Sequence, residues 1–200
     1  MINRLNILSA QPKTTFCKYA TEEIYIADLT RRSQGTATPR SVEVSQSQSI
    51  FNGQTVDSVL LHNSTLLDVE FGLFDDYEYE DFVSHDNIEH CEGCFYIADN
   101  INWVTFFEIK DCDEKNILKY KTKAITQIAN VVKDFKNRAL LSSETILGII
   151  SFPRKHTAFN DTIFGDIIDY TNLKKQTGIT YFATNEIFVV NADIVTPRIN

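Results

Sequence analysis

EGCFYIADNINWVTFFEIK, residues 92–110, decides how this chain is read. Two apolar runs, 94–98 and 103–109, flank a polar turn, and that pattern predicts an antiparallel hairpin. Away from the turn residue Asp99, its charges sit at the open end: Glu92 where the first strand begins, Glu108 and Lys110 where the second finishes. Side chains repeat every two residues along a strand, so Glu108 and Lys110 share a face. Whether Glu92 joins them depends on register. An odd connection, such as 99–101 with Ala98 facing Asn102, sets Glu92 directly across from Glu108. A two-residue turn at 100–101 sends it to the other face. Asp99 is roughly 23–30 Å from Glu108 at about 3.3 Å per residue and cannot share a site with it.

Two carboxylates and a lysine at the end of an apolar hairpin need compensation, because unpaired charges are costly to bury and like charges side by side repel. A divalent cation supplies it. Hard oxygen ligands from Glu92 and Glu108 suit Mg²⁺ or Mn²⁺, with Lys110 orienting or activating a water. A surface hairpin end, with Lys110 merely neutralising Glu108, accounts for the same residues.

At these positions the chain resembles the PD-(D/E)XK nuclease superfamily, whose signature is an acid at the start of one strand, a short hairpin, and (D/E)-X-K on the next. Glu108-Ile109-Lys110 matches the second half inside WVTFFEIK. Glu92 takes the place of the first acid, with Cys-Glu-Gly where the family often has Pro-Asp. The resemblance covers residues 86–152. It implies metal-dependent hydrolysis of nucleic acid phosphodiesters, with Glu92, Glu108 and Lys110 catalytic and Mg²⁺ or Mn²⁺ on the two glutamates. A role in genome defence or a mobile element would follow from such chemistry. The family also shows a helix directly after this strand, and its Lys or Gln often faces the site, which points to Lys123 and Gln127. An upstream acid belongs to the family pattern as well, and Glu70 is the candidate for it.

The remaining sequence fits an α/β or α+β fold in one domain, residues 1–200: a mixed central sheet in which hairpin 94–109 is packed by a long helix at 117–140, as in a restriction-endonuclease-like core. The helix follows from apolar residues at Tyr120, Ala124, Ile125, Ile128, Val131, Val132 and Phe135, spaced by three and four. Lys119, Lys123, Gln127, Asn130 and Asp134 then line its polar side. Strands are expected at 23–29, 56–61, 65–74 and 145–152, a short helix at 162–173, and a final hairpin from 179–183 and 187–190. Residues 30–49 are rich in Ser, Gln, Thr and Arg and read as a mobile loop. Residues 75–92 carry eight carboxylates and no basic side chain, and fit either an edge strand or a short helix.

With 43% hydrophobic and 12% aromatic residues, the chain is globular rather than disordered. No run is long enough for a membrane span or export signal, and four cysteines without such a signal indicate reduced thiols in the cytoplasm. Charge is unevenly placed. Residues 41–109 hold fourteen acids and no Lys or Arg, against −8 for the whole chain, so the rest is net positive. The basic part offers phosphate contacts at Lys119, Lys123, Arg154 and Lys155. The acidic tract 43–108 instead suits a basic protein partner, as in an inactive immunity-like protein or a complex subunit. A third constellation, His90, Cys91, Cys94 and Cys112, contains one C-x₂-C pair and is a candidate zinc set.

Overall fold

A computed structural model describes residues 4–11, 13–30, 42–74, 79–98, 102–112, 114–155 and 167–198. Its first half is almost entirely β. After α1 (Arg4–Ala10) come β1 (Thr15–Tyr19), β2 (Glu23–Asp28), β3 (Val42–Ser45), β4 (Ile50–Phe51), β5 (Gln54–Thr55), β6 (Val59–His62) and β7 (Val69–Leu73). Then follow β8 (Tyr79–Glu80), β9 (Asn87–Ile88), β10 (Gly93–Ile97) and β11 (Trp103–Ile109). A 3₁₀ turn, Glu114–Asn116, opens α2 (Ile117–Asn137), and β12 (Thr145–Ser151), α3 (Ile167–Thr177), β13 (Thr180–Ala183), β14 (Glu186–Asn191) and β15 (Ile194–Pro197) complete the order.

The expected mixed sheet has six strands in the order β1-β7-β10-β11-β12-β13. Its first four are antiparallel to their neighbours, while β11–β12 and β12–β13 are parallel. Parallel neighbours need a long crossover, and α2 lies within the one between β11 and β12. A second sheet, β15-β14-β6-β2-β3, was not foreseen. The two faces of β11 feed two separate cores. Val104 and Phe106 pack with Ile128, Val131, Val132 and Phe135 of α2, whereas Trp103, Phe107 and Ile109 pack with Ile24, Ile26, Val59 and Leu61 of the second sheet. Burial on both faces explains why WVTFFEI is nearly continuously apolar instead of alternating. Gly93 lies where this packing is tightest. A Cβ there would stand 2.5 Å from the Gly72 carbonyl oxygen and 2.9 Å from the Phe107 ring. We expect Gly93→Ala to destabilise the chain by about 3 kcal/mol in urea unfolding, because backbone on one side cannot give way.

α2 stops at a sharp turn. Ala139 takes the left-handed conformation (φ 55°), and Leu140 N–H donates back to Phe135 O at 2.9 Å, so the helix ends before the expected residue 140. Several other expectations need correction. The loop expected at 30–49 contains β3, which buries Val42 and Val44 against the second core, while its arginines lie at 31, 32 and 40, outside the described residues. The strand expected at 56–61 is β6, and that at 65–74 begins only after Leu66, whose φ is 52°. The described part of the acidic stretch is a small antiparallel pair, β8–β9. The helix expected at 162–173 is described as α3, with 162–166 outside the described residues.

The final hairpin is not a hairpin. β13 runs parallel to β12 in the six-stranded sheet, and β14 runs parallel to β6 in the other. The chain therefore steps between layers at Thr184 and Asn185. The Asn185 amide stitches that step: Ser151 Oγ and Phe152 N–H donate to Oδ1 (2.6 and 3.1 Å), and Nδ2 donates to the carbonyls of Phe152 and Lys155 (3.0 and 2.7 Å). Among the described residues, no helix is long and apolar enough to cross a membrane.

Candidate active site

The register of β10 on β11 pairs Gly93 with Phe107, Cys94 with Phe106 and Phe95 with Thr105. Continued outward, it sets Ala98 across from Asn102 and Glu92 across from Glu108, the outcome that an odd connection demands. Glu92 N–H donates to Glu108 Oε2 at 3.1 Å. Even-numbered positions of β11 face α2, so Glu92, Glu108 and Lys110 gather at the helix-side end of the strand. Lys110 Nζ forms an ion pair with Glu108 Oε1. Lys110 N–H also donates to Ser151 O at 2.9 Å, extending the β11–β12 ladder by one bond. These three residues thus stand at the carboxyl edge of a parallel strand pair, where the chain diverges into the loops before α2 and after β12.

A fourth charged residue comes from the other sheet. Asp28 ends β2, half-buried, with Thr30 N–H donating to Oδ1 at 2.9 Å, and its carboxylate acts on both Glu108 and Lys110. Sequence reading missed it, since the only signal was an acid closing an apolar strand far upstream. The residue proposed instead, Glu70, pairs with Tyr96 on β7–β10. That is four positions along the strand from Glu92, roughly 13 Å.

Glu108 has no solvent exposure and the Lys110 side chain retains 19%. Burial pushes the Glu108 carboxyl up to about 7. The Lys110 ammonium opposes that shift, Asp28 adds to it, and the Glu92 N–H again lowers it. Burial also disfavours the Lys110 charge, yet Glu108, Glu92 and Asp28 together hold its pKa above the ordinary lysine value. A carboxyl with a raised folded-state pKa contributes fully below its ordinary value of 4.5, and that contribution disappears as pH rises through about 7. In chelator, unfolding free energy should fall by up to about 3 kcal/mol across this window, and Glu108→Gln should flatten the fall. Urea unfolding of both proteins at acidic and mildly alkaline pH measures it.

The five candidate contacts for a phosphate backbone differ in how available they are. Lys119 is exposed, with Nζ 5.6 Å from the ring centroid of Tyr120. Lys123 Nζ pairs with Glu89 Oε1 at 3.0 Å. Gln127 is buried and donates to His90 O at 2.7 Å. Arg154 forks onto Asp111 through Nε and Nη2, the second bond being 3.0 Å. Lys155 is half-buried, its carbonyl held by Asn185. The polar side of α2 is therefore only partly open. The acidic segment lies over part of it, anchored by Gln127, Asn130 and the fully buried Asp134, while Lys119 and Lys123 stay exposed.

The zinc set does not assemble. Cys91 and Cys94 lie in the helix-side core, Cys91 Sγ donating to Gly93 O at 3.6 Å. Cys112 belongs to the same core, and His90 stacks on Tyr79 with ring centroids 5.3 Å apart. Burial raises the thiol pKa of both Cys91 and Cys94. Among the described residues, no three His, Cys, Asp or Glu side chains form a ready-made metal cage. Mg²⁺, however, is ordinarily held by one or two carboxylates together with waters and substrate phosphate. Glu92 and Glu108 are donors of that kind, with Glu108 fully buried and Lys110 paired to it. Comparison of the chain with protein-family models, curated proteins and solved structures returns no match.

Proposed function

We propose that this chain is a metal-dependent nuclease on a restriction-endonuclease-like core. The hairpin register carries the proposal, because it brings Glu92, Glu108 and Lys110 to one end of one strand pair. The order β7-β10-β11, then α2, then β12 parallel to β11, supports it, as does the position of the three residues at the carboxyl edge. Glu92 and Glu108 would hold Mg²⁺ or Mn²⁺, which when bound stabilises charge developing on the phosphate. Lys110, pinned by Glu108, orients the attacking water. Asp28 deepens the negative potential that attracts a cation. Of these basic residues, the exposed Lys119 is placed to guide the backbone, since Lys123 and Arg154 have acidic partners of their own.

Calorimetry with Mg²⁺ and Mn²⁺, beside cleavage assays on single- and double-stranded DNA and RNA, tests the proposal. Binding by the wild type that disappears in Glu108→Ala, with cleavage lost in both Glu108→Ala and Lys110→Ala, is the expected result. A wild type that neither binds the ions nor cleaves any of the four substrates overturns it.

A further inference from the structure

The acidic pair β8–β9 is braced far more firmly than two strands of two residues could manage alone. Asp134 of α2, with no solvent exposure, holds it from below. Tyr79 Oη donates to Oδ2 at 3.0 Å, Phe82 N–H to Oδ1 at 2.8 Å and Arg138 Nε to Oδ2 at 2.8 Å. Arg138 Nη2 also donates to Glu80 O at 2.7 Å. The turn is fixed within itself by Asp81 Oδ1, which accepts Val83 N–H and Ser84 N–H at 3.0 and 2.8 Å. On this turn stand two apolar side chains that remain outside the core. Phe82 is 48% exposed and Val83 68%, and the Arg138 guanidinium lies 5.1 Å from the centroid of the Phe82 ring.

A loop whose only task is to cover α2 has no need of exposed apolar residues at its tip. Desolvating a carboxylate to brace it is costly as well. A rigid apolar tip ringed by charge is instead the form of an interface anchor, whose ordering cost has been met before binding. We infer that Phe82 and Val83 form a docking knob for a basic protein partner. The apolar tip fits a hydrophobic pocket, and the acids around it fit a basic rim. Charge selects the class of partner. The described turn carries Glu80, Asp81 and Asp86 beside the tip, and residues 79–92 contain no Lys or Arg. Glu89 is paired with Lys123 and Asp134 with Arg138, while the Glu80 carboxylate meets the exposed His85 at 3.1 Å. Nucleic acid is repelled by the same field, so the knob serves a different partner from the site at Glu108.

The probe is a short amphipathic helical peptide of leucine and lysine, followed by fluorescence anisotropy at low and high salt. Wild type should bind, and Phe82→Ser/Val83→Ser should weaken binding about tenfold or more with an unchanged melting temperature. Asp86→Lys should weaken it and flatten the salt dependence, whereas Ile50→Ser, an exposed apolar residue elsewhere, should have no effect. Absence of binding, equal affinity of wild type and the double variant, or equal weakening by Ile50→Ser would each overturn the inference. So would self-association in the ultracentrifuge that vanishes with Phe82→Ser/Val83→Ser, which would make the occupant a second copy of this chain.

Discussion

Glu108→Gln should lower kcat/KM for nucleic acid cleavage by about a thousandfold or more while leaving the chain folded. The substitution keeps the volume of the side chain and an oxygen that can accept from Glu92 N–H, so β11 retains its packing. It removes the negative charge that holds Lys110 and that a divalent ion would need. Two readouts separate this from a structural effect. Mg²⁺ should raise the melting temperature of the wild type and leave that of Glu108→Gln unmoved, since only a native state that binds the ion gains stability from it. Above neutral pH and in chelator, the variant should also be more stable than the wild type, because a buried carboxylate whose pKa is raised to about 7 is a liability once ionised. A variant that loses stability at every pH and gains nothing from restored charge would mark the Glu108–Lys110 pair as purely structural.

Asp134→Ala should destabilise the chain by about 3–5 kcal/mol, because it strands the Arg138 charge together with the Tyr79 hydroxyl and Phe82 N–H. In a chain of this size, that corresponds to a fall in melting temperature of about 10 °C. The variant Asp134→Ala/Arg138→Ala should recover part of the loss, since the two residues share one network. Urea unfolding of the two single variants and the double variant completes the cycle. A loss below about 1 kcal/mol for Asp134→Ala would mean that the β8–β9 anchor contributes little to the folded state.

The sequence made some of this legible and left the rest hidden, for reasons that differ by element. The spacing of Ala124, Ile128, Val131, Val132 and Phe135 announced α2 because a single face of that helix meets the six-stranded sheet. The polar residues on its other side looked solvated, and only the fold shows the acidic segment lying over Gln127, Asn130 and Asp134. The hairpin was recognisable, but its register was not, since connections of two and three residues differ by one position that composition does not mark. β3 was hidden within a Ser- and Gln-rich stretch because two alternating valines suffice to pair with β2. The step from β13 to β14 looks like a turn at the level of residues, because a chain that reverses in one sheet and one that crosses to another both need a short polar connection. Asp28 was out of reach for a simpler reason. It belongs to a layer that no pattern in the chain required.

The five-stranded sheet has an implication for the order in which the molecule is made. Its β2, β3 and β6 leave the ribosome well before β14, which must add to β6, and β15 to β14, before that sheet is complete. Until then β6 offers an unpaired edge, and Ile24, Ile26 and Leu61 lack their late-made neighbours Ile187 and Val189. Between the synthesis of β6 and that of β14 the nascent chain therefore carries a sticky half-sandwich, and closure is a long-range event. Yield in the cell should consequently depend on chaperone capacity more than the folded protein's equilibrium stability would suggest.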